Sequence, residues 1–198
     1  MIIMKGYFSG ILFSIAYLVS TLATSAELDV RNGVLFGATG ININGASYNV
    51  AFVSGSCSSL FSGCDEPSDF FFNDLDQSLH ANQALLEQVL IDTSEGLFDS
   101  DPGTTNGCYD TDRCYIYTPI QATTNYTFTS RSVLNRETGI DVYTGVVGGL
   151  SRDADFSAPN YRERTFAVWS PVPLPGAFWL FGSAIIGIIG IIRNKNGF

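Results

Sequence analysis

The feature that most constrains this chain is an apolar run at each of its two ends. At the C-terminal end, Ala177 to Ile192 is 16 residues without a charge, and Arg193 and Lys195 follow it. An α-helix of that length covers about 24 Å, slightly less than the hydrocarbon core of a bilayer. The sequence therefore predicts a transmembrane helix over residues 177-192, stopped by a basic cytoplasmic tail over residues 193-198.

The N-terminal end has the parts of a secretory signal peptide. Lys5 precedes a short apolar stretch, and two small residues three positions apart, Ala23 and Ala26, follow it. This arrangement predicts a signal peptide over residues 1-26 that uses the Sec pathway and signal peptidase, with cleavage before Glu27. Because Lys5 and the basic tail are both expected inside, the segment between them is expected on the outer side of the inner membrane.

A proline motif stands directly before the C-terminal apolar run. It reads Val172-Pro173-Leu174-Pro175, in a linker assigned to residues 171-176. A proline motif, an apolar helix and a basic end in this order resemble the PEP-CTERM sorting region, in its VPLPA-type variant. Two departures from that pattern are Gly176 in place of the usual Ala and the lack of a Glu between the prolines.

The resemblance implies a sorting signal handled by an exosortase-like enzyme, in a Gram-negative bacterium that makes exopolysaccharide. The expected route is an inner-membrane intermediate, followed by the periplasm, the outer surface or the extracellular matrix. Exopolysaccharide is then a possible partner, beside the membrane and the processing enzymes.

The segment between the two ends is acidic and long enough for one domain. Residues 27-170 are the predicted exported ectodomain. Glu27 to Pro175 contains all 19 acidic residues and seven arginines, a formal charge of −12. Such a surface repels phosphates, so no nucleic-acid partner is expected. Its length suits one hydrophobic core rather than two.

All four cysteines lie in the ectodomain. An even number in an oxidising compartment favours disulfides over metal ligation or redox chemistry. Four cysteines allow three pairings, and the short separations favour Cys57 with Cys64 and Cys108 with Cys114. Each bridge is expected to contribute about 2 to 3 kcal/mol to the free energy of unfolding.

Most of the ectodomain alternates apolar and polar residues, as strands do. Asn44-Gly45 lies between two alternating runs, and this pair suits a tight hairpin turn in which both residues have positive φ. Further strand-like runs are Tyr115 to Thr118, Tyr126 to Leu134, Ile140 to Val147 and Thr165 to Trp169.

One helical pattern interrupts the strands. The apolar residues that recur at helical spacing are Leu75, Leu79, Leu86, Val89 and Leu90. They predict a helix over about Leu75 to Ile91, with Asp74 as its N-cap. The predicted fold class is therefore mainly β, an antiparallel sheet or sandwich, with one amphipathic helix.

No catalytic motif accompanies these elements, and we expect neither an enzyme nor a cofactor. His80 is the only histidine, and we interpret it as a surface residue of the predicted helix. A weak calcium candidate is the aspartate-rich loop, whose carboxylates are Asp99, Asp101, Asp110 and Asp112. Ordinary solvated turns explain the same residues.

Flat aromatic rings are a candidate for stacking on sugars, although the same residues are ordinary in strands. They are Phe70, Phe71, Phe72, Tyr115, Tyr117, Tyr126 and Tyr143. The first functional hypothesis is a non-enzymatic structural or interaction protein of an exopolysaccharide-bearing envelope. The alternatives are a small carbohydrate- or calcium-binding module and, behind it, an envelope glycoside hydrolase that uses paired carboxylates.

Overall fold

The computed structural model describes residues 25–110, 112–123, 126–143 and 145–172. Its α-helices are α1 (Cys57–Leu60) and α2 (Leu75–Gln88). Its strands are β1 (Glu27–Arg31), β2 (Val34–Ile43), β3 (Ala46–Val53), β4 (Asp92–Thr93), β5 (Gly96–Leu97), β6 (Arg113–Ala122), β7 (Thr127–Arg136), β8 (Val142–Tyr143), β9 (Val147–Ser151) and β10 (Arg164–Pro171). Single 3-10 turns lie at Pro67–Asp69, Pro102–Thr104 and Pro159–Tyr161.

One eight-stranded sheet dominates the described part of the chain. Its order is β1-β2-β3-β10-β6-β7-β8, and β9 also pairs with β7. Strands β4 and β5 form a separate two-stranded ribbon. The fold is thus mainly β with one long helix, and of the two predicted arrangements it is a sheet rather than a sandwich of two large sheets.

The last strand gives the sheet its one departure from antiparallel pairing among the described strands. β10 inserts between β3, with which it is antiparallel, and β6, with which it is parallel. As a consequence of these directions, β1 begins at the same end of the sheet at which β10 ends. The ends of the folded domain are therefore separated by two intervening strands, which is three strand spacings or roughly 14 Å.

Two Asn-Gly pairs make the tight turns at the N-terminal side of the sheet. Asn44 and Gly45 have φ of 52° and 84°, which confirms the predicted β2–β3 hairpin. Asn32 and Gly33, with φ of 53° and 77°, make the β1–β2 turn in the same way. The strand predicted over Ile140 to Val147 is instead two short strands, β8 and the beginning of β9.

Helix α2 begins where its cap predicted and ends at Gln88 rather than Ile91, and the predicted apolar stripe is buried only in part, at Val89 and Leu90 just after the helix. The Asp74 carboxylate accepts hydrogen bonds from the backbone N–H groups of Asp76 and Gln77, at 2.8 and 3.1 Å. Leu75, in the predicted stripe, is 49% exposed. The residues of α2 that are buried against the sheet are Ser78, Ala81, Asn82, Ala84 and Leu85.

The polar residues of that buried face each form a hydrogen bond, although Asn82 Nδ2 is buried without a partner. The Ser78 hydroxyl donates to the Leu75 carbonyl at 2.9 Å, and the Thr118 hydroxyl of β6 donates to Asn82 Oδ1 at 2.9 Å. The Trp169 indole N–H of β10 in turn donates to Thr118 Oγ1 at 3.3 Å. A polar chain thus joins the helix to two strands, where the sequence pattern predicted only apolar contacts.

Successive residues of β6 and β10 belong to two different hydrophobic clusters, which identifies the two faces of the sheet. Ile116 packs in the cluster beneath α2, whereas Tyr117 packs in the other. Ala167 and Phe166 divide in the same way. We call these the helix face and the loop face, since two irregular segments, residues 54–72 and 151–163, cover the second.

Candidate functional site

The first candidate site lies where two neighbouring strands of the sheet part. β6 and β10 pair only over Tyr115–Tyr117 with Arg164–Phe166. Beyond these residues β6 continues beside β7, and β10 continues beside β3. We call the unpaired margin between Thr118–Ala122 and Ala167–Pro171 the strand gap. Pro119 has no N–H to donate, and it is buried at this margin, where β6 forms no ladder with β10.

The segment Phe70–Phe72 passes beside the strand gap and anchors a ring on each face of the sheet. The Phe70 ring packs 5.7 Å from Phe61 on the loop face, measured between ring centroids. The Phe72 ring packs 5.3 Å from Trp169 on the helix face. Phe71, between them, is 43% exposed. Its position is therefore fixed by two buried neighbours while its own ring faces solvent.

These elements enclose an open cavity of about 420 Å³, which we call the aromatic cleft. Its walls are residues 60–62, residues 68–72, Thr118 and Pro119 of β6, and residues 167–169 of β10. The volume lies within the roughly 300 to 1,000 Å³ of small-ligand sites. Rings supply its apolar surface, while Ser62, Ser68 and Asp69 supply polar groups.

Two local devices hold the wall of the aromatic cleft. The Cys57–Cys64 disulfide closes the turn that carries residues 60–62. After it, the Asp69 carboxylate accepts hydrogen bonds from the backbone N–H groups of Asp65 and Glu66, both at 3.0 Å. These bonds lower the pKa of Asp69 below its ordinary 3.8, so the cleft keeps a negative charge at neutral pH.

The segment 151–163 locks this wall from the other side. The Ser58 hydroxyl donates to Asp153 Oδ1 at 2.8 Å, and Arg152 lies 3.6 Å from Asp65 Oδ2. The Phe156 ring stacks on Phe166 of β10 with a centroid separation of 4.5 Å. The loop face is thus built from aromatic stacking and loop-to-loop contacts rather than from a regular element.

A second cavity, of about 410 Å³, lies at the end of the sheet at which β6 begins. Arg113 and Arg136 stand directly opposite each other on β6 and β7, and Tyr115 lines the same groove. Arg113 forms an ion pair with Glu163 at 3.4 Å. Asp112 and Glu137 also line the groove, so its positive and negative charges balance.

Two carboxyl groups meet beside that groove. Burial and the neighbouring Asp99 carboxyl raise the pKa of Asp141 to about 6, against the lowering effect of a 2.9 Å hydrogen bond from the Arg136 backbone N–H. This contact links the loop after β5 to the β7–β8 hairpin.

The aspartates of the calcium hypothesis serve the loop in separate ways. Asp110 Oδ1 accepts a hydrogen bond from the Asp112 backbone N–H at 2.9 Å, and Asp99 pairs with Asp141. Asp101 Oδ1 is buried without a hydrogen-bond partner. Over the described ranges, no three His, Cys, Asp or Glu side chains converge as metal ligands. The geometry gives the calcium hypothesis no support.

Both predicted disulfides are formed. Cys57 bonds Cys64 and Cys108 bonds Cys114, and all four residues are buried. The first bridge belongs to the loop-face cluster and the second to the helix-face cluster, so each face has one. Such bonds are consistent with an oxidising compartment outside the cytoplasm.

The remaining predicted residues are dispersed. Tyr117 is buried, whereas Tyr126 lies exposed beneath the Arg152 guanidinium and Tyr143 is exposed on β8. His80, half-buried on α2, has Nδ1 3.1 Å from Gln83 Oε1. The sequence pattern indicated Phe70–Phe72 as candidates but did not indicate Asp69 or Trp169. Trp169 joins this group only because the fold places Phe70–Phe72 beside the end of β10.

The targeting segments lie largely outside the described residues. Of the sorting motif only Val172 is described, and its backbone N–H donates to the Ser47 carbonyl at 3.5 Å. The rest of the motif, Pro173, Leu174 and Pro175, lies outside the described residues, together with Arg193 and Lys195. Most of the predicted signal peptide also lies outside them. None of the helices in the described ranges is long and apolar enough to span a bilayer.

Comparison with known proteins returns no match of any kind: no family model, no curated protein and no solved structure is similar to this chain.

Proposed function

We propose that this chain is an exported envelope protein, sorted by its tail through an exosortase-like enzyme, with a non-enzymatic interaction or structural role in an exopolysaccharide-bearing envelope. The signal peptide ends at Ala26, and the motif Val172-Pro173-Leu174-Pro175 is the processing segment.

The observation that carries this proposal is the position of the domain's two ends. β1 begins at Glu27, the first residue after the predicted cleavage site, and β10 ends at Pro171, immediately before the proline motif. Because both lie at one end of the sheet, a domain tethered at either end presents the opposite end and both faces away from the membrane. The two disulfides also support export, because such bonds persist in oxidising compartments outside the cytoplasm.

The proline motif distinguishes two models of the tail, a processed sorting signal and a plain membrane anchor. Prolines hold a chain extended and free of helix, which suits a segment gripped by a protease. A plain anchor needs only its apolar span and flanking charge, so it tolerates replacement of both prolines.

The experiment compares the wild-type chain with the Pro173→Ala, Pro175→Ala double variant in a host that makes the processing enzyme. We expect wild-type product shortened by roughly the last 20 to 25 residues at the surface or in the matrix, and full-length double variant in the inner membrane. Pro171→Ala, just outside the motif, is the matched control and is processed normally. Intact Phe198 on wild-type protein in the inner membrane refutes the proposal.

A further inference from the structure

The aromatic cleft contains a ring that the fold positions but does not bury. Phe71 is 43% exposed, whereas Phe70 and Phe72 on either side are 3% and 4% exposed. Burying a phenylalanine side chain contributes about 1.5 to 3 kcal/mol, so this exposed ring forgoes much of that stabilisation. The Tyr48 ring packs edge-on against Phe71 at 5.7 Å and limits its movement.

Polar groups that suit hydroxyls line the same cleft as this ring. Two backbone N–H groups fix the Asp69 carboxylate, which remains charged and able to accept further hydrogen bonds. Ser62 and Ser68 add hydroxyls to the same wall. A fixed aromatic face beside hydroxyls and a carboxylate matches a sugar, which has an apolar ring face and a rim of hydroxyls.

The charges select among sugars. The cleft wall contains a carboxylate and no lysine or arginine, and the ectodomain as a whole has a formal charge of −12. A uronate or sulfate group in the cleft would face Asp69 without a cation to pair it, and burying an unpaired charge is costly.

We propose that the aromatic cleft binds neutral hexose units of a polysaccharide, with Phe71 stacking on the sugar ring and Asp69 accepting hydrogen bonds from its hydroxyls. This assigns a ligand class to the interaction role proposed above and rests on that role. The Cys57–Cys64 bridge and the Asp69 hydrogen bonds hold the wall before the ligand arrives, which reduces the ordering cost of binding.

The test is calorimetric titration of the full chain in detergent micelles with cellohexaose, laminarihexaose and maltohexaose. At least one of these is expected to bind. Phe71→Ala should weaken that binding by about tenfold or more, the equivalent of about 1.4 kcal/mol. Phe71→Trp, which keeps a flat ring, should retain it. Tyr109→Ala removes an exposed ring outside the cleft, 62% exposed against 43% for Phe71, and is the control.

Thermal unfolding of each variant shows whether lost binding reflects lost structure, and Phe71→Ala should unfold close to wild type. Equal affinity of wild type and Phe71→Ala overturns the proposal, as does binding of trigalacturonate in preference to all three neutral sugars. Absence of binding to any of the sugars also overturns it. None of these results touches the tail-processing proposal, whose readout is the C-terminal mass of the protein.

Discussion

The two faces of the sheet are stabilised by different means. The helix face is covered by a 14-residue helix whose buried side chains pack in a cluster with residues of β2, β3, β6, β7 and β10. The loop face is covered by two irregular segments, held by the Cys57–Cys64 disulfide, by stacked rings and by loop-to-loop hydrogen bonds. The cluster beneath the helix is well buried, whereas the irregular cover leaves the aromatic cleft and the exposed Phe71. We assign stability chiefly to the helix face, and we place binding at the strand gap, where the loop segments meet Phe72 and Trp169 of the helix face.

The largest loss of stability is expected from a substitution in the core of the helix face. Leu85 of α2 is fully buried, so Leu85→Ala should lower the free energy of unfolding by about 2 to 5 kcal/mol through lost burial and a cavity. Urea denaturation of the full chain in micelles measures it. Leu75→Ala, on the same helix at a 49% exposed position, is the matched control and should change stability by about 0.5 kcal/mol or less. Equal losses would show that α2 does not stabilise the domain through this face.

A smaller loss of stability is expected when the disulfide of the loop face is removed. The Cys57→Ser, Cys64→Ser double variant should lose about 2 to 3 kcal/mol, because the unfolded chain gains freedom when a short loop is opened. It should also loosen residues 57–64 and weaken sugar binding. The Cys108→Ser, Cys114→Ser variant should lose a similar stability while binding remains. If the two variants lose binding equally, the disulfide is not what organises the cleft.

The smallest expected change is in how the melting temperature depends on pH. The pKa of Asp141 is raised to about 6, so its protonated form favours the folded state, and this contribution is lost as pH rises through 6. Asp141→Asn should therefore raise the melting temperature at pH 7.5 and change it little at pH 4. Because the carboxyl is partly exposed, the gain should be about 1 kcal/mol or less.

Asp69 on the loop face should behave in the opposite way. Its pKa is lowered below 3.8, so its contribution is present above that value and is lost as pH falls further. Asp69→Asn should thus flatten the acid side of the pH profile of the melting temperature, whereas Asp141→Asn flattens the side near pH 6. Profiles that change on the same side would contradict the assignment of these two groups.

Local features of this fold could be predicted from the sequence. The Asn44-Gly45 turn, the Asp74 cap and both disulfides depend on residues close together in the chain, and each is present. The buried face of α2 was predicted only in part: Val89 and Leu90 are buried as expected, but Asn82, which is buried with a hydrogen bond to Thr118 36 residues away, lay outside the predicted stripe. A hydrophobic pattern cannot indicate such a partner.

The aromatic cleft could be predicted only in part. The triplet Phe70–Phe72 was visible as a group of rings, but strand alternation made an ordinary core role equally acceptable. The strand gap arises because β10, the last strand, inserts between β3 and β6 and pairs with β6 over only three residues. That pairing joins residues about 50 positions apart, and no local signal specifies it.

The most direct test of the division between the faces is amide hydrogen exchange of the full chain in micelles, with and without the neutral hexasaccharide that binds most tightly. The account predicts that the sugar slows exchange at residues 60–72 and 167–169, while exchange in α2 changes no more than global stabilisation requires. Protection centred on α2 or on the arginine groove between β6 and β7, with none at residues 60–72, would contradict it.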